Sequence, residues 1–150
     1  MAKWSIDIDK WAKLTKEKPE KCKRAFVFLM YSKIVQRTPV DEGRARGNWN
    51  VSVGKCDTSI NEELKTAKYR SIDELPIPKG DTSMFISNNL IYMPKLEYGG
   101  YGRYEEGKQV SKANGPKTVN GYSKQAPKGM VGLTVAEASK VLEQAVRMVK

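Results

Sequence analysis

The sequence predicts an α+β fold in which a small antiparallel sheet packs against a long N-terminal helix and a C-terminal helix, with long polar loops. Three patterns indicate this: a helical apolar period from Pro19 to about Arg37, a second one near the C-terminal end, and short alternating stretches typical of half-buried strands. A length of 150 residues is that of one domain. We therefore expect a single domain spanning residues 1–150.

The N-terminal stretch Trp4 to Ile8 alternates apolar and polar residues, which predicts a short strand, and Asp9 can cap a turn of helix through Lys16. Acids and a tryptophan stand where a signal peptide needs an unbroken apolar run. No later stretch reaches the roughly 18 apolar residues of a membrane span. We expect a protein that is neither exported nor held in a membrane.

The long helix begins at Pro19, because the missing N–H of a proline is not needed in the first helical turn. Its apolar residues recur at three- and four-residue steps and predict one apolar face. These residues are Cys22, Phe26, Leu29, Met30 and Ile34.

A chain reversal follows the helix at Thr38, Pro39, Asp41 and Gly43. Pro39 disfavours the α conformation at Thr38 and so ends the helix, while Asp41 and Gly43 supply turn chemistry, the carboxylate accepting backbone amides. Trp49 then opens an alternating strand, and its ring is expected to anchor that strand to the helix.

Arg44 and Arg46 stand between the reversal and the strand. If the extended conformation begins there, both side chains point to the same side and suit carboxylates of an adjacent subunit. The sequence leaves an alternative open, which is pairing within the chain with Asp41 or Glu97.

The remaining chain alternates polar loops with short ordered segments. Two mobile loops are predicted, at about 55–82, with a short helix around Glu62 to Tyr69, and at 101–123, where glycines and tyrosines dominate. Between them, a strand is predicted at Ser83 to Ser87, and the run Leu90 to Met93 is apolar enough to pack on the core.

The C-terminal helix is predicted to follow a capping box at Thr134 and Glu137, and to run to Val149. Its apolar face comprises Val135, Ala138, Val141, Leu142, Ala145 and Val149.

Catalytic chemistry has little support in the sequence. The chain has no histidine, which removes the Ser–His and Cys–His arrangements. Its neighbouring acid pairs are typical of solvated surface, and Cys22 and Cys56 lack a metal-binding or disulfide-framework spacing, so both are expected to be reduced thiols. We expect a protein that is not an enzyme and that uses no metal or cofactor.

The net charge of +10 indicates either a polyanionic or acidic partner or simply a requirement for solubility. Tyr98, Tyr101, Arg103 and Tyr104 allow two interpretations: stacking on single-stranded nucleic acid, or a loop that orders on a protein partner. The first interpretation predicts a basic nucleic-acid-binding module, which is the alternative to the function that the next paragraphs describe.

The twelve residues from Thr38 to Trp49, placed after a long helix, resemble the signature of the phage neck and tail-completion family, minor components of the head-to-tail junction. Three later blocks resemble the remaining family blocks in their usual order: Ile86–Asn89 with Tyr92, Leu96–Gly100, and Gln125–Val131. Glu42 stands where the family usually has Thr, and the stretch from Tyr101 to Ser123 matches nothing specific.

This resemblance implies a structural subunit that forms a homo-oligomeric ring, expected to be a hexamer, between the head connector and the tail tube. Such a ring closes the tail end and leaves a channel in which DNA makes sequence-independent contacts. The protein would be made in the host cytoplasm and reside in the virion. The expected subunit or partner contacts are Arg44, Arg46, Tyr98, Tyr101, Arg103 and Tyr104.

Overall fold

A computed structural model describes residues 18–63 and 71–149. The strand predicted at Trp4 to Ile8, the helical turn to Lys16 and most of the helix predicted around Glu62 to Tyr69 lie outside these residues. The described helices are α1 (Pro19–Arg37), α2 (Arg44–Gly47), α3 (Met93–Tyr98), α4 (Val131–Ala136) and α5 (Ala138–Val149). The strands are β1 (Asn50–Val53), β2 (Met84–Ser87), β3 (Tyr104–Glu105), β4 (Lys108–Gln109), β5 (Thr118–Val119) and β6 (Tyr122–Ser123).

Helix α1 is the central element and begins at Pro19 as predicted. It is apolar on two sides rather than one. Tyr31 and Val35 belong to the cluster that includes the sheet, whereas Cys22 and Met30 belong to clusters formed with α5. The helix lies between two layers, and both layers bury side chains against it.

The sheet on one side of α1 pairs β1 with β2 in antiparallel fashion, with Val51 opposite Ile86. Trp49 and Val51 are buried in the main core, and Ile86 packs against it. The predicted α+β class with a small antiparallel sheet is therefore confirmed.

Helix α5 covers the other side of α1. Its buried residues Ala138, Val141, Leu142, Ala145 and Val146 recur at helical spacing. Leu142 and Val146 pack with Cys22, and Val141 packs with Met30. The predicted apolar face is confirmed, with Val146 added to it.

The predicted capping box at Thr134 and Glu137 is wrong, because the helix is interrupted there. Thr134 lies inside α4, and its hydroxyl donates to the carbonyl oxygen of Met130 at 2.8 Å. Glu137 ends α4, and its carboxylate accepts from Arg37 at 2.7 Å and lies 3.0 Å from the Lys33 ammonium. Both partners are on α1, so Glu137 joins α1 to the junction of α4 and α5.

The apolar run before α3 is only partly buried. Leu90 and Met93 are in the core, but Ile91 is 95% exposed, which corrects the expectation that the whole run packs inward. The run forms a turn that leads into α3 at Met93, and Met93 N–H donates to the carbonyl oxygen of Leu90 at 3.0 Å. A turn sends successive side chains in different directions.

The two segments predicted as mobile loops contain short regular pieces. A 3-10 turn at Ile72–Glu74 is followed by Leu75, which is buried in the main core. Residues 101–123 form two hairpins, β3–β4 and β5–β6, which the sequence analysis did not predict. The mobility of both segments stays a prediction.

Within residues 18–63 and 71–149, no helix is both long enough and apolar enough to cross a bilayer.

Cys22 is buried and Cys56 is exposed, and neither forms a disulfide.

The interface between α1 and α5 supports a stability prediction. Leu142→Ala removes a fully buried side chain and should lower the free energy of unfolding by about 2–5 kcal/mol. Met148→Ala on the same helix is the control, since Met148 is half exposed, and it should cost under about 1 kcal/mol. Urea unfolding measures both, and equal losses would contradict the assigned burial of α5.

The Glu137 ion pair supports a pH prediction. Hydrogen bonds from Arg37 and Lys33 lower the pKa of Glu137 below the ordinary value of 4.5. A carboxyl group whose pKa is lowered by folding stabilises the fold above its unfolded pKa, and this contribution is lost as the pH falls through the folded pKa.

Glu137→Gln should therefore destabilise the protein near neutral pH, and the difference from wild type should shrink as the pH falls below 4.5. Unfolding measured across this range tests it. Glu63→Gln, at an exposed position, is the control and should show no such trend. A Glu137→Gln difference independent of pH would count against the ion pair.

Candidate functional site

Thr38 is fully buried and occupies the junction between α1 and the reversal. Its hydroxyl donates to the carbonyl oxygen of Ile34 at 2.7 Å and accepts from the Trp49 indole nitrogen at 2.9 Å. Thr38 itself is extended, with φ −71° and ψ 127°, as expected before Pro39. The indole thus ties the start of the strand to the end of the helix.

Gly43 and Asp41 have different roles in the reversal. Gly43 is left-handed, with φ 85°, and directly precedes α2, a conformation that favours glycine. The Asp41 carboxylate is exposed, and both its oxygens lie 3.2 Å from the Lys117 ammonium. The expectation that Asp41 accepts backbone amides is corrected: its side chain points away from the turn toward the 101–123 segment.

Arg44 and Arg46 do not lie in an extended stretch, as expected, but in the short helix α2. Residues two apart on a helix are separated by about 200° around its axis, so the side chains diverge. Arg46 donates to the carbonyl oxygens of Thr38 at 2.7 Å and Gln36 at 3.1 Å, at the end of α1. Arg44 forms an ion pair within the chain, but with Glu62 rather than with Asp41 or Glu97.

Asn88 connects the second sequence block to the reversal. Its side-chain amide donates to the carbonyl oxygen of Ala45 in α2 at 2.8 Å. Within the first block, the Asn48 amide group donates to the carbonyl oxygen of Arg44 at 2.9 Å and accepts from the N–H of Asn61 at 2.7 Å. Asn88 thus bonds a carbonyl oxygen of the short helix, and Asn48 joins the end of that helix to Asn61.

Glu97 connects the third block to the fourth. Its carboxylate accepts the N–H groups of Met130, Val131 and Gly132, each at 2.8 Å, and so caps the start of α4. Gly129 is left-handed, with φ 80°, and a Cβ there would lie 2.5 Å from the carbonyl oxygen of Glu97. Glu97, rather than the capping box predicted at Thr134, supplies the acceptor for these amides.

Gln125 connects the fourth block back to the first. Its side-chain amide donates to the carbonyl oxygen of Val40 and accepts the N–H of Val40, both at 2.8 Å. These two residues are 85 positions apart in the chain. All four blocks of the resemblance therefore meet around the reversal.

A cleft of about 700 Å³ separates the reversal from the 111–125 segment. Its walls include Leu96, Tyr92 and Tyr101, and burial raises the pKa of Tyr92 above its ordinary value of 10.0. Two buried polar atoms in residues of its lining have no hydrogen-bond partner in the described part of the chain, namely Arg44 Nε and Ser111 Oγ.

The structure divides the predicted contact residues into groups. Arg44 and Tyr101 line the cleft, and Tyr101 also packs on the core. Tyr98 is 77% exposed, Tyr104 is 73% exposed and Arg103 is also exposed, and none of these three lines the cleft. Arg46 serves the end of α1, so the predicted set does not form one site.

In the described ranges, no three Cys, Asp or Glu side chains come together as metal ligands would. Comparisons with protein-family models, characterised proteins and solved structures find no match to this chain.

The Glu97 cap supports a third prediction. Glu97→Ala leaves three N–H groups without their charged acceptor and should lower the free energy of unfolding by about 2–3 kcal/mol. Amide exchange at Met130, Val131 and Gly132 should accelerate. Glu63→Ala removes an exposed carboxylate and should change stability by less than about 0.5 kcal/mol. If the two variants unfold at the same urea concentration, Glu97 does not hold α4.

Proposed function

We propose that this protein is a structural subunit of a phage head-to-tail junction, which closes the tail end, joins it to the head connector and leaves a channel for DNA. The observation that supports this is the meeting of four sequence blocks around one reversal. Each block resembles part of the neck and tail-completion signature, and they are joined by Asn88, Glu97 and Gln125.

The contacts between blocks argue against a resemblance that arose by chance. A turn built from Pro and Gly alone forms through the conformational preferences of its own residues and needs no contact with distant parts of the chain. Here a side chain from each later block satisfies backbone groups elsewhere, over separations of 43 residues for Asn88, 33 for Glu97 and 85 for Gln125. Residues that are distant in the chain are used together, as expected where a signature describes one three-dimensional unit.

The exposed side chains suit a role in assembly. Tyr98, Tyr104 and Ile91 are large and largely solvent-exposed, and tyrosine is enriched where protein surfaces meet. The functional part of such a protein is its contact surfaces rather than a reacting group. A ring, with six copies by the resemblance, places these surfaces between neighbours and against the head connector and tail tube.

The charge of the chain suits the channel. A net charge of +10 attracts the DNA backbone without reading its sequence. On this proposal the protein is made in the host cytoplasm and is a component of the virion tail.

Two measurements test this function: native mass against concentration, and co-sedimentation with purified phage tails and heads. We expect a closed oligomer or binding to one of these particles. The double variant Tyr98→Ser with Tyr104→Ser should keep its thermal unfolding temperature and weaken association at least about tenfold. Ile77→Ser is the matched control, since Ile77 is also exposed but lies elsewhere in the chain. A wild-type protein that stays monomeric at high concentration and binds neither particle would overturn the proposal.

A further inference from the structure

The two small hairpins have the same turn geometry but different residues at the first turn position. Asn120 and Gly121 have φ 49° and 79°, and Glu106 and Gly107 have φ 52° and 77°. Positive φ at both central residues defines a type I′ turn, in which Asn-Gly is strongly preferred. Glutamate is disfavoured in this left-handed conformation, so Glu106 occupies a place that Asn would fill with less strain.

No hydrogen bond or ion pair to the described residues uses the Glu106 carboxylate. Its neighbour Glu105 is paired with Lys95 of α3, which fixes the hairpin against the body of the protein. Tyr104 on the same hairpin is 73% exposed. The hairpin therefore presents a tyrosine and an uncommitted carboxylate to its surroundings, at some cost in backbone conformation.

The cleft beside the reversal has chemistry that complements this tip. Its walls carry apolar groups such as Leu96 and Pro39, and its charged residues are Arg44, Lys117 and Lys124 against Asp41 and Glu42. Lys117 is paired with Asp41, and Arg44 with Glu62. The Lys124 ammonium has no ion-pair partner among the described residues.

The cleft also has lining residues with polar atoms that the described part of the chain leaves unsatisfied. Arg44 Nε and Ser111 Oγ are buried and have no hydrogen-bond partner among residues 18–63 and 71–149, which is unfavourable for a protein interior. A volume of about 700 Å³ is in the range that encloses a few side chains.

We propose that the tip of the β3–β4 hairpin, with Tyr104 and Glu106, docks into this cleft on a second copy of the chain. The tip does not line its own cleft, although Ser111, which follows the hairpin closely, does. One copy can then donate its tip to a neighbour while its own cleft receives another tip. Such a head-to-tail contact forms a ring where the rotation between neighbouring copies closes, and a filament where it does not.

Local charge complementarity supports a second copy as the occupant, whereas the net charge opposes it. Copies that each carry +10 repel one another, so their association needs local pairs of opposite sign. The Glu106 carboxylate and the Lys124 ammonium provide such a pair. This inference rests on the assembly role proposed above and specifies the contact that performs it.

The test uses Glu106→Asn in the full-length protein. Asparagine suits the type I′ turn, so the variant should fold at least as stably as wild type while losing the carboxylate. Its self-association constant, measured by light scattering or native mass spectrometry, should fall about tenfold. Asp81→Asn makes the same charge change in another exposed turn and should associate as wild type does.

A charge exchange identifies the partner surface. Lys124→Glu and Glu106→Lys should each lower the self-association constant about tenfold. The protein that carries both changes should recover most of the lost affinity. Recovery in the double variant supports direct contact between tip and cleft.

The outcomes separate this contact from the assembly role. If wild type associates but Glu106→Asn associates equally well, the hairpin contact is wrong and the assembly role stands. If Lys124→Glu weakens association and neither Glu106 variant does, the cleft receives a different segment and the assignment of the tip is wrong. A wild-type monomer that binds neither tails nor heads overturns both proposals.

Discussion

The structure depends on how the partly buried C-terminal end of α1 satisfies its carbonyl groups. A helix end leaves its last carbonyl oxygens without partners in the helix, and burial makes that costly. Here the Ile34 oxygen accepts both the N–H and the hydroxyl of Thr38, and Arg46 donates to the oxygens of Gln36 and Thr38. Because Arg46 belongs to α2, the same bonds fix α2 against α1. Trp49, bonded to the Thr38 hydroxyl, then fixes where β1 begins.

The same device recurs wherever short elements meet. Strands β1 and β2 have four residues each and the hairpin strands have two. Backbone ladders therefore supply few of the hydrogen bonds between residues that are distant in the sequence. Asn88, Glu97 and Gln125 instead bond backbone groups far away in the chain. These three polar side chains therefore serve the fold. Surface contacts are left to residues outside this network, such as Tyr98 and Tyr104, which are exposed.

The sequence was informative where structure is local. The apolar period of α5, the alternation in β1, the strand-forming residues of β2 and the proline at the start of α1 each depend on neighbouring residues, and these elements form. The predicted capping box failed because the amides at the start of α4 are satisfied by Glu97, 33 residues away from Met130. No pattern in the neighbouring residues predicts a hydrogen-bond partner so far away in the sequence.

The candidate site shows the same division between local and distant signals. The turn residues were identified from their own chemistry, but the extended stretch expected at Arg44 and Arg46 is a helix, which follows the left-handed Gly43. Lys117 and Gln125 were missed as partners of the turn, since contacts over 76 and 85 positions leave no periodic signal. Asn120-Gly121 is a strong hairpin signal that the sequence did contain. Its strands are only two residues long, too short to show alternation.

The internal bonds also determine what the cleft can do. Gln125 holds Val40 by two hydrogen bonds, so the two walls of the cleft are joined by contacts that need no partner. The Lys117–Asp41 pair also spans the cleft, but both side chains are exposed and the pair adds little. A cleft whose width is already fixed loses little conformational freedom when it is filled. The shape of the β3–β4 hairpin is likewise determined by its two-residue turn, and the Lys95–Glu105 ion pair joins the hairpin to α3. In the assembly proposed above, two surfaces shaped in advance would pay a smaller entropic cost on association than mobile loops would.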